Sequence, residues 1–194
     1  MLPPIAQRRD FLPDDAAAEL FAYALANEAR FTPSTVGLSN TVNRERRISS
    51  VLDDLGPLRN AFNIRLRDAL PGLIPELRIT PFKPSRIEAE IAAHNDGAFF
   101  KEHIDTQFSP DAKDMRLLSG VYYFHALPAR FSGGLLRLHE LGGTAARHID
   151  IEPAHNSIVF FPAWIPHEVL PVSCPSGRFE DCRFAINFWY RGAR

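Results

Sequence analysis

Apolar and polar positions alternate at two different periods along this chain, and the change falls near residue 74. Before it the pattern is helical. Pro13, Asp14 and Asp15 offer a helix start, and AAAELFAYALANEARF follows with strong helix formers. A second helix is predicted over residues 53–70. There Leu55, Leu58, Phe62, Leu66 and Leu70 recur at about 3.6 residues, with Arg59, Asn63, Arg65 and Arg67 mostly on other faces. Pro57 fits near its first turn. The intervening TPSTVGLSNTVNRERRISS is predicted as a loop or extended segment.

After residue 74 the period becomes two. Pro71, Pro75, Pro81 and Pro84 exclude a long helix there. In RIEAEIAAH, Ile87, Ala89, Ile91 and Ala93 alternate with Glu88, Glu90 and Ala92, which predicts a half-buried strand. LLSGVYYFH, GLLRLHEL, RHIDIE, SIVFF and CRFAINFWY are further short runs rich in β-branched and aromatic residues. Turn signals separate them at Asn95-Asp96-Gly97, Ser132-Gly133-Gly134, Gly142-Gly143 and Pro153-Ala154-His155-Asn156. Many short strands at this spacing predict an α+β, mainly β protein: a jelly roll with N-terminal helices packed on one sheet. No clean boundary divides it, so residues 1–194 are expected to form a single domain. Residues 1–73 would be its mainly helical part and 74–194 its jelly-roll core.

Composition narrows the classes. The chain has 194 residues, 45% of them apolar, which suits one globular domain. Its 22 basic side chains nearly balance 23 acidic ones, so bulk charge points to neither nucleic acid nor an anionic membrane. No apolar run approaches the roughly 20 residues of a membrane helix. The N-terminal MLPPIAQRRDFLPDD lacks a secretory pattern. Cys174 and Cys182 do not make a disulfide framework, so reduced thiols and a cytoplasmic location are expected.

The candidate chemistry starts in FFKEHIDTQF, residues 99–108. On a strand, His103 and Asp105 face the same way and can offer a nitrogen and a carboxylate oxygen to one ion. His167, in FFPAWIPHEVLP, can supply a third ligand. Two histidines and one carboxylate with open positions form the facial triad of non-haem Fe(II) oxygenases. A His-x-Asp pair also arises by chance, and His125, His139, His148 and His155 read as surface or hydrogen-bonded core residues. These residues alone leave a metal enzyme and a chance pairing in balance. Arg183 adds weight. It opens an apolar strand and shares a face with Ala185, Asn187 and Trp189 by alternation. A guanidinium drawn into an aromatic interior needs an anion. That anion is either a bound dicarboxylate, gripped through two parallel hydrogen bonds, or one of Glu88, Glu90 and Glu168.

Residues 91–190 resemble the 2-oxoglutarate and Fe(II)-dependent dioxygenases, in particular the prolyl 4-hydroxylase and oxygen-sensing prolyl hydroxylase branches. Five segments carry the resemblance in order: NDGAFFKEHID, RLLSGVYYFH, FSGGLLRLHEL, IEPAHNSIVFFPAWIPHEVLPV and RFAINFWY. The resemblance implies a double-stranded β-helix, the jelly roll of this family. It implies His103, Asp105 and His167 as iron ligands, and Arg183 and Tyr123 as binders of the distal carboxylate of 2-oxoglutarate. Fe(II), 2-oxoglutarate and O2 follow as cofactor and cosubstrates, with ascorbate a candidate reductant. The expected reaction is hydroxylation of an unactivated C–H, of a prolyl or other residue in a peptide or protein, or alternatively of a free amino acid or small metabolite. Phe99, Phe100, Phe108, Phe160, Phe161, Trp164 and Trp189 are candidates for an apolar shell.

Two departures from the family stand out. His94 replaces a tyrosine found in many relatives nine residues before the first metal histidine, and reads either as part of an altered pocket or as a plain strand end. The SCPSGRFEDC link, which holds both cysteines, is longer than in the oxygen sensors. Arg44, Arg46 and Arg47, within residues 30–52, read as a solvated loop, with a substrate-facing segment as the alternative. A competing class is a metal-binding jelly roll without oxygenase activity, such as a cupin-like sensor or isomerase. Such a protein has no need of Arg183 and Tyr123 as a clamp. A zinc hydrolase is a third class, but Glu102 and Glu168 fall on the face opposite the ligands.

Overall fold

The computed structural model describes residues 2–37, 41–106, 113–142 and 147–193. Helix α1 spans Asp14–Ala26, with Pro13 at its cap and Asp14 and Asp15 placed favourably for the helix dipole. Helix α2 spans Arg59–Leu77 and follows a 3-10 turn that contains Pro57. It therefore runs seven residues past the predicted end at 70, through Pro71 and Pro75. Both prolines lie on its exposed side, where carbonyls freed by the missing N–H groups face water. Its opposite side buries Phe62, Leu66, Leu70, Leu73 and Leu77. Each such side chain stabilises by about 2 kcal/mol, and each interior proline costs about 3 kcal/mol, so burial wins.

The strands of the first half are β1 (Ala6–Arg9), β2 (Thr32–Pro33), β3 (Arg47–Ile48), β4 (Ser50–Leu52), β5 (Arg86–His94), β6 (Phe99–His103) and β7 (Met115–Phe124). Those of the second half are β8 (Ser132–Gly133), β9 (Leu136–His139), β10 (His148–Ile151), β11 (Ser157–Pro162), β12 (His167–Val169), β13 (Val172–Ser173) and β14 (Arg183–Gly192). The major sheet has the order β1-β11-β7-β14-β5-β4-β2, and the minor sheet β10-β9-β12-β6-β3. All pairings within them are antiparallel. This is the expected jelly roll, with both helices on the outer face of the major sheet.

Two differences from the sequence reading bear on function. The segment between the helices is not simply a loop. β3 pairs with β6 of the minor sheet, and β4 pairs with β5 of the major sheet, so Arg47–Ser50 crosses from one sheet to the other. Strand β1 was not expected, because its polar AQRR lacks an alternating pattern. It gains order by pairing with β11.

Alternation along the central strands divides the interior in two. Phe184, Ile186, Phe188 and Tyr190 of β14 join Phe62, Leu66 and Phe160 in the cluster under the helices. Ala185 of the same strand joins Val121, Tyr123 and Phe161 in a smaller cluster between the sheets. Arg183, Asn187 and Trp189 share the phase of Ala185. Arg183 and Tyr123, two of the candidate site residues, thus fall on the inner side of the major sheet.

Candidate active site

His103, Asp105 and His167 each offer a ligand atom, and these atoms lie within 4.8 Å of one another. Strand pairing places two of them. His103 sits opposite His167, while Phe100 sits opposite Val169, so β6 carries one extra residue between the two pairs. This bulge turns Phe100 and His103 to one side, and their rings stack at 3.5 Å and 17°. The third group arrives differently from the expected strand alternation. β6 ends at His103, and Asp105 lies beyond it in a turn, pinned by its N–H donating to Ala163 O at 2.9 Å.

The hydrogen bonds behind these groups set their chemistry. His103 Nδ1 donates to Lys101 O, and His167 Nδ1 donates to Ile165 O, both at 2.9 Å. Each imidazole then presents the lone pair of Nε2 inward. Ser119 Oγ donates to Asp105 Oδ2 at 2.7 Å. Burial, reinforced by His167, pushes His103 down to about 3. Burial alone would raise Asp105, but His167, His103, Arg116 and the Ser119 hydroxyl hold it below its usual value. Two imidazole nitrogens and one carboxylate are a donor set for a divalent transition metal, and the residues present fit Fe(II).

Arg183 is 1% exposed. Its Nε and Nη2, and the hydroxyl of Tyr123, are buried without hydrogen-bond partners among the described residues. The guanidinium carbon lies 4.9 Å from the centre of the Tyr123 ring. Burial pushes Tyr123 up to about 12, against the pull of Arg183. None of the acidic residues considered as its mate is free for it. Glu88 pairs with Arg116, Arg191 and Arg86, Glu90 with Arg47, and Glu168 with His139. Gly134 lets the arginine pass: a Cβ there would lie 2.6 Å from Arg183 Cδ, and φ is +68°. An orphaned cation and an orphaned hydroxyl side by side fit the carboxylate of a ligand.

A small inner pocket of about 40 Å³ holds the three candidate ligands together with His94, Asn187 and Trp189. An outer cleft of about 530 Å³ leads into it past Arg47, Phe100, His103, Asp105 and Trp189. Pairs of opposite charge line this mouth. Arg47 and Asn187 both donate to Glu90 Oε1, at 2.9 and 3.1 Å. Arg116 donates to Glu88 at 3.0 Å and covers the Trp189 ring at 3.6 Å.

Several expectations need correction. Arg47 is not solvated: its side chain is 10% exposed, and its guanidinium lies over Phe100. Arg44 and Arg46 are exposed as expected. Of the apolar shell, Phe100, Phe161 and Trp189 line the inner pocket. Phe160 belongs to the helix-side cluster, and Trp164 is 41% exposed. Phe99 does not line the pocket, and Phe108 lies outside the described residues. His94 is more than a strand end, since it is buried in the pocket with Nδ1 3.4 Å from Arg183 Nη1. Cys174 and Cys182 are buried free thiols. Glu102 and Glu168 do turn away from the ligands and meet His139 at 3.6 and 3.1 Å.

A family profile described as the 2OG-Fe(II) oxygenase superfamily matches residues 89–191. An uncharacterized PKHD-type hydroxylase of Synechocystis sp. is 39% identical over 133 residues, which is 66% of this chain and 43% of that protein. The chain thus spans less than half the length of that relative. Among solved structures, a prolyl-4-hydroxylase of Pseudomonas putida superposes with a TM-score of 0.72 at 24% identity, covering 99% of this chain and 94% of that one. A Trichoplax adhaerens prolyl hydroxylase, solved with a peptide fragment of the hypoxia inducible factor oxygen degradation domain, gives 0.70 at 20% identity, covering 97% and 83%. A viral collagen prolyl hydroxylase from Paramecium bursaria Chlorella virus-1 gives 0.60 at 15%, covering 98% and 97%. At these identities the structural likeness speaks for the fold.

Proposed function

Because the chain belongs to the 2OG-Fe(II) oxygenase superfamily, we propose that it hydroxylates an unactivated C–H of a prolyl or other residue in a peptide or protein. Superfamily membership brings Fe(II), 2-oxoglutarate and O2 with it. In this reading His103, Asp105 and His167 hold Fe(II), and Arg183 and Tyr123 bind the distal carboxylate of 2-oxoglutarate. The observation that carries the assignment is the buried Arg183 with two unpartnered nitrogens, beside an equally unpartnered Tyr123 hydroxyl. A bare metal site gives no reason to leave those three atoms unsatisfied.

When bound, the metal and its cosubstrates supply the oxidising power that replaces C–H by C–OH while 2-oxoglutarate is converted to succinate and CO2. The protein's own contribution is placement. Lys101 O and Ile165 O lock the two imidazole tautomers, and Ser119 orients the Asp105 carboxylate. Arg183 and Tyr123 set the reach of the cosubstrate into the pocket. Phe100, Phe161 and Trp189 keep water from the reacting centre.

A peptide suits the outer cleft, which is open and roomy and carries both charge signs and an indole at its inner end. The Trichoplax neighbour, which binds a peptide, supports the same reading. The proposal takes residues 1–194 as one oxygenase domain, because side chains from α1, α2 and the major sheet share a single apolar cluster. A reducing, cytoplasmic setting fits the two free buried thiols.

The test is anaerobic titration of Fe(II)-loaded protein with 2-oxoglutarate, followed by the weak visible charge-transfer band of the bound cosubstrate. The band should appear in the native protein and need far more 2-oxoglutarate in Arg183→Ala. Mass spectrometry of a peptide library should then find products with one added oxygen atom. A folded, iron-loaded protein that never gives the band would overturn the oxygenase reading.

A further inference from the structure

We propose that His94 is a positioning residue for the cosubstrate clamp, a neutral acceptor that holds one edge of Arg183 and leaves the other edge for the carboxylate. The inference rests on the reading of Arg183 as that clamp. It accounts for a histidine that no part of the function described so far uses.

Strand register brings the two residues together. His94 ends β5, Arg183 begins β14, and they sit directly opposite each other in the antiparallel pair. Both are buried, and His94 lines the inner pocket. Arg183 Nη1 points at His94 Nδ1, 3.4 Å away. The other two nitrogens, Nε and Nη2, form the edge that pairs with a carboxylate through parallel hydrogen bonds, and they are the two without partners. Close neighbours fix the rest of the arginine: a Cβ on Gly134 would lie 2.6 Å from its Cδ, and the centre of the Tyr123 ring lies 4.9 Å from its Cζ. His94 thus decides which edge of a planar, buried cation is presented.

The choice of residue type has a physical logic. An apolar side chain here would leave Nη1 as a third orphaned nitrogen on one buried cation. A carboxylate here would satisfy Nη1 but would also neutralise the guanidinium, and so compete with the anionic cosubstrate. Imidazole accepts without carrying negative charge, provided it stays unprotonated. Burial, followed by the charges of Arg183 and Arg47, pushes His94 well below its usual value and keeps that lone pair available.

The isosteric pair Asn and Asp makes this testable, because either places an oxygen close to the position of Nδ1 and they differ in charge. Binding of 2-oxoglutarate to the anaerobic Fe(II) protein would be titrated through the visible band, with Fe(II) affinity measured in parallel. His94→Asn should bind 2-oxoglutarate within about threefold of the native protein. His94→Phe should bind about tenfold more weakly, and His94→Asp more weakly still, with Fe(II) affinity unchanged in all three. In an Arg183→Ala background the same His94 substitutions should have no further effect. Equal behaviour of Asn and Asp, or a full His94→Phe effect that persists without Arg183, would overturn the positioning role. If Arg183→Ala itself bound 2-oxoglutarate normally, the clamp assignment would fail instead, and the two failures are distinguishable.

Discussion

The two faces of β14 follow opposite rules although they alternate residue by residue. The outer face, Phe184, Ile186, Phe188 and Tyr190, is 0–1% exposed and packs under the helices. Its single polar atom, Tyr190 Oη, donates to Leu66 O at 2.6 Å. The inner face carries Arg183, Asn187 and Trp189, and at Arg183 it leaves buried nitrogens unsatisfied. A buried orphan costs about 1–3 kcal/mol. The fold tolerates that cost on one face because the other is closely packed and fully satisfied. Stability and the proposed cosubstrate binding thus fall to different residues of one strand, separated only by which way each points.

The largest expected effect breaks the inner face without touching the outer. His103→Ala or Asp105→Ala should reduce turnover to background while the thermal midpoint stays within a few degrees of the native protein. Full activity in either variant would end the metal-ligand assignment. The converse comes from the outer face. Phe188 meets Phe62, Phe160 and Tyr190 edge to face and lies over Gly120, where a Cβ would come within 2.1 Å of its ring. Phe188→Ala opens a cavity and should cost about 3–5 kcal/mol in denaturant unfolding. If the folded variant kept native 2-oxoglutarate affinity, the two faces would be shown to act separately. A parallel loss of both would contradict the division.

The sequence carried this division more clearly than it carried the boundaries. Strict alternation in RFAINFWY and RIEAEIAAH already put Arg183, Asn187 and Trp189 on one side, and Glu88 and Glu90 on another strand's polar side. The order of the five motifs pointed to residues that the fold does bring together. What stayed hidden depends on non-local pairing. Arg47 belongs to a run of charges that reads as solvated, yet its partner Glu90 is 43 residues away and meets it only because β3 and β4 bridge the two sheets. Helix α2 passes Pro71 and Pro75 because tertiary burial overrides propensity. The approach of His94 to Arg183 is a register fact, and register is not visible in either strand alone.

Two tyrosines give the smallest and sharpest contrast, since each can lose a single hydroxyl. Tyr190→Phe removes the bond to Leu66 O that ties β14 to α2. It should cost about 1–2 kcal/mol of stability, the carbonyl being left unpaired, and leave 2-oxoglutarate binding unchanged. Tyr123→Phe removes a hydroxyl that has no hydrogen-bond partner among the described residues. It should leave stability unchanged or slightly raised, because a buried orphan disappears, and weaken 2-oxoglutarate binding about tenfold through the lost hydrogen bond. Denaturant unfolding and the anaerobic titration, run on both variants, read the two quantities independently. Crossed results, with Tyr123→Phe losing stability and Tyr190→Phe losing cosubstrate affinity, would mean that the orphaned atoms of the inner face are structural and that the ligand sits elsewhere.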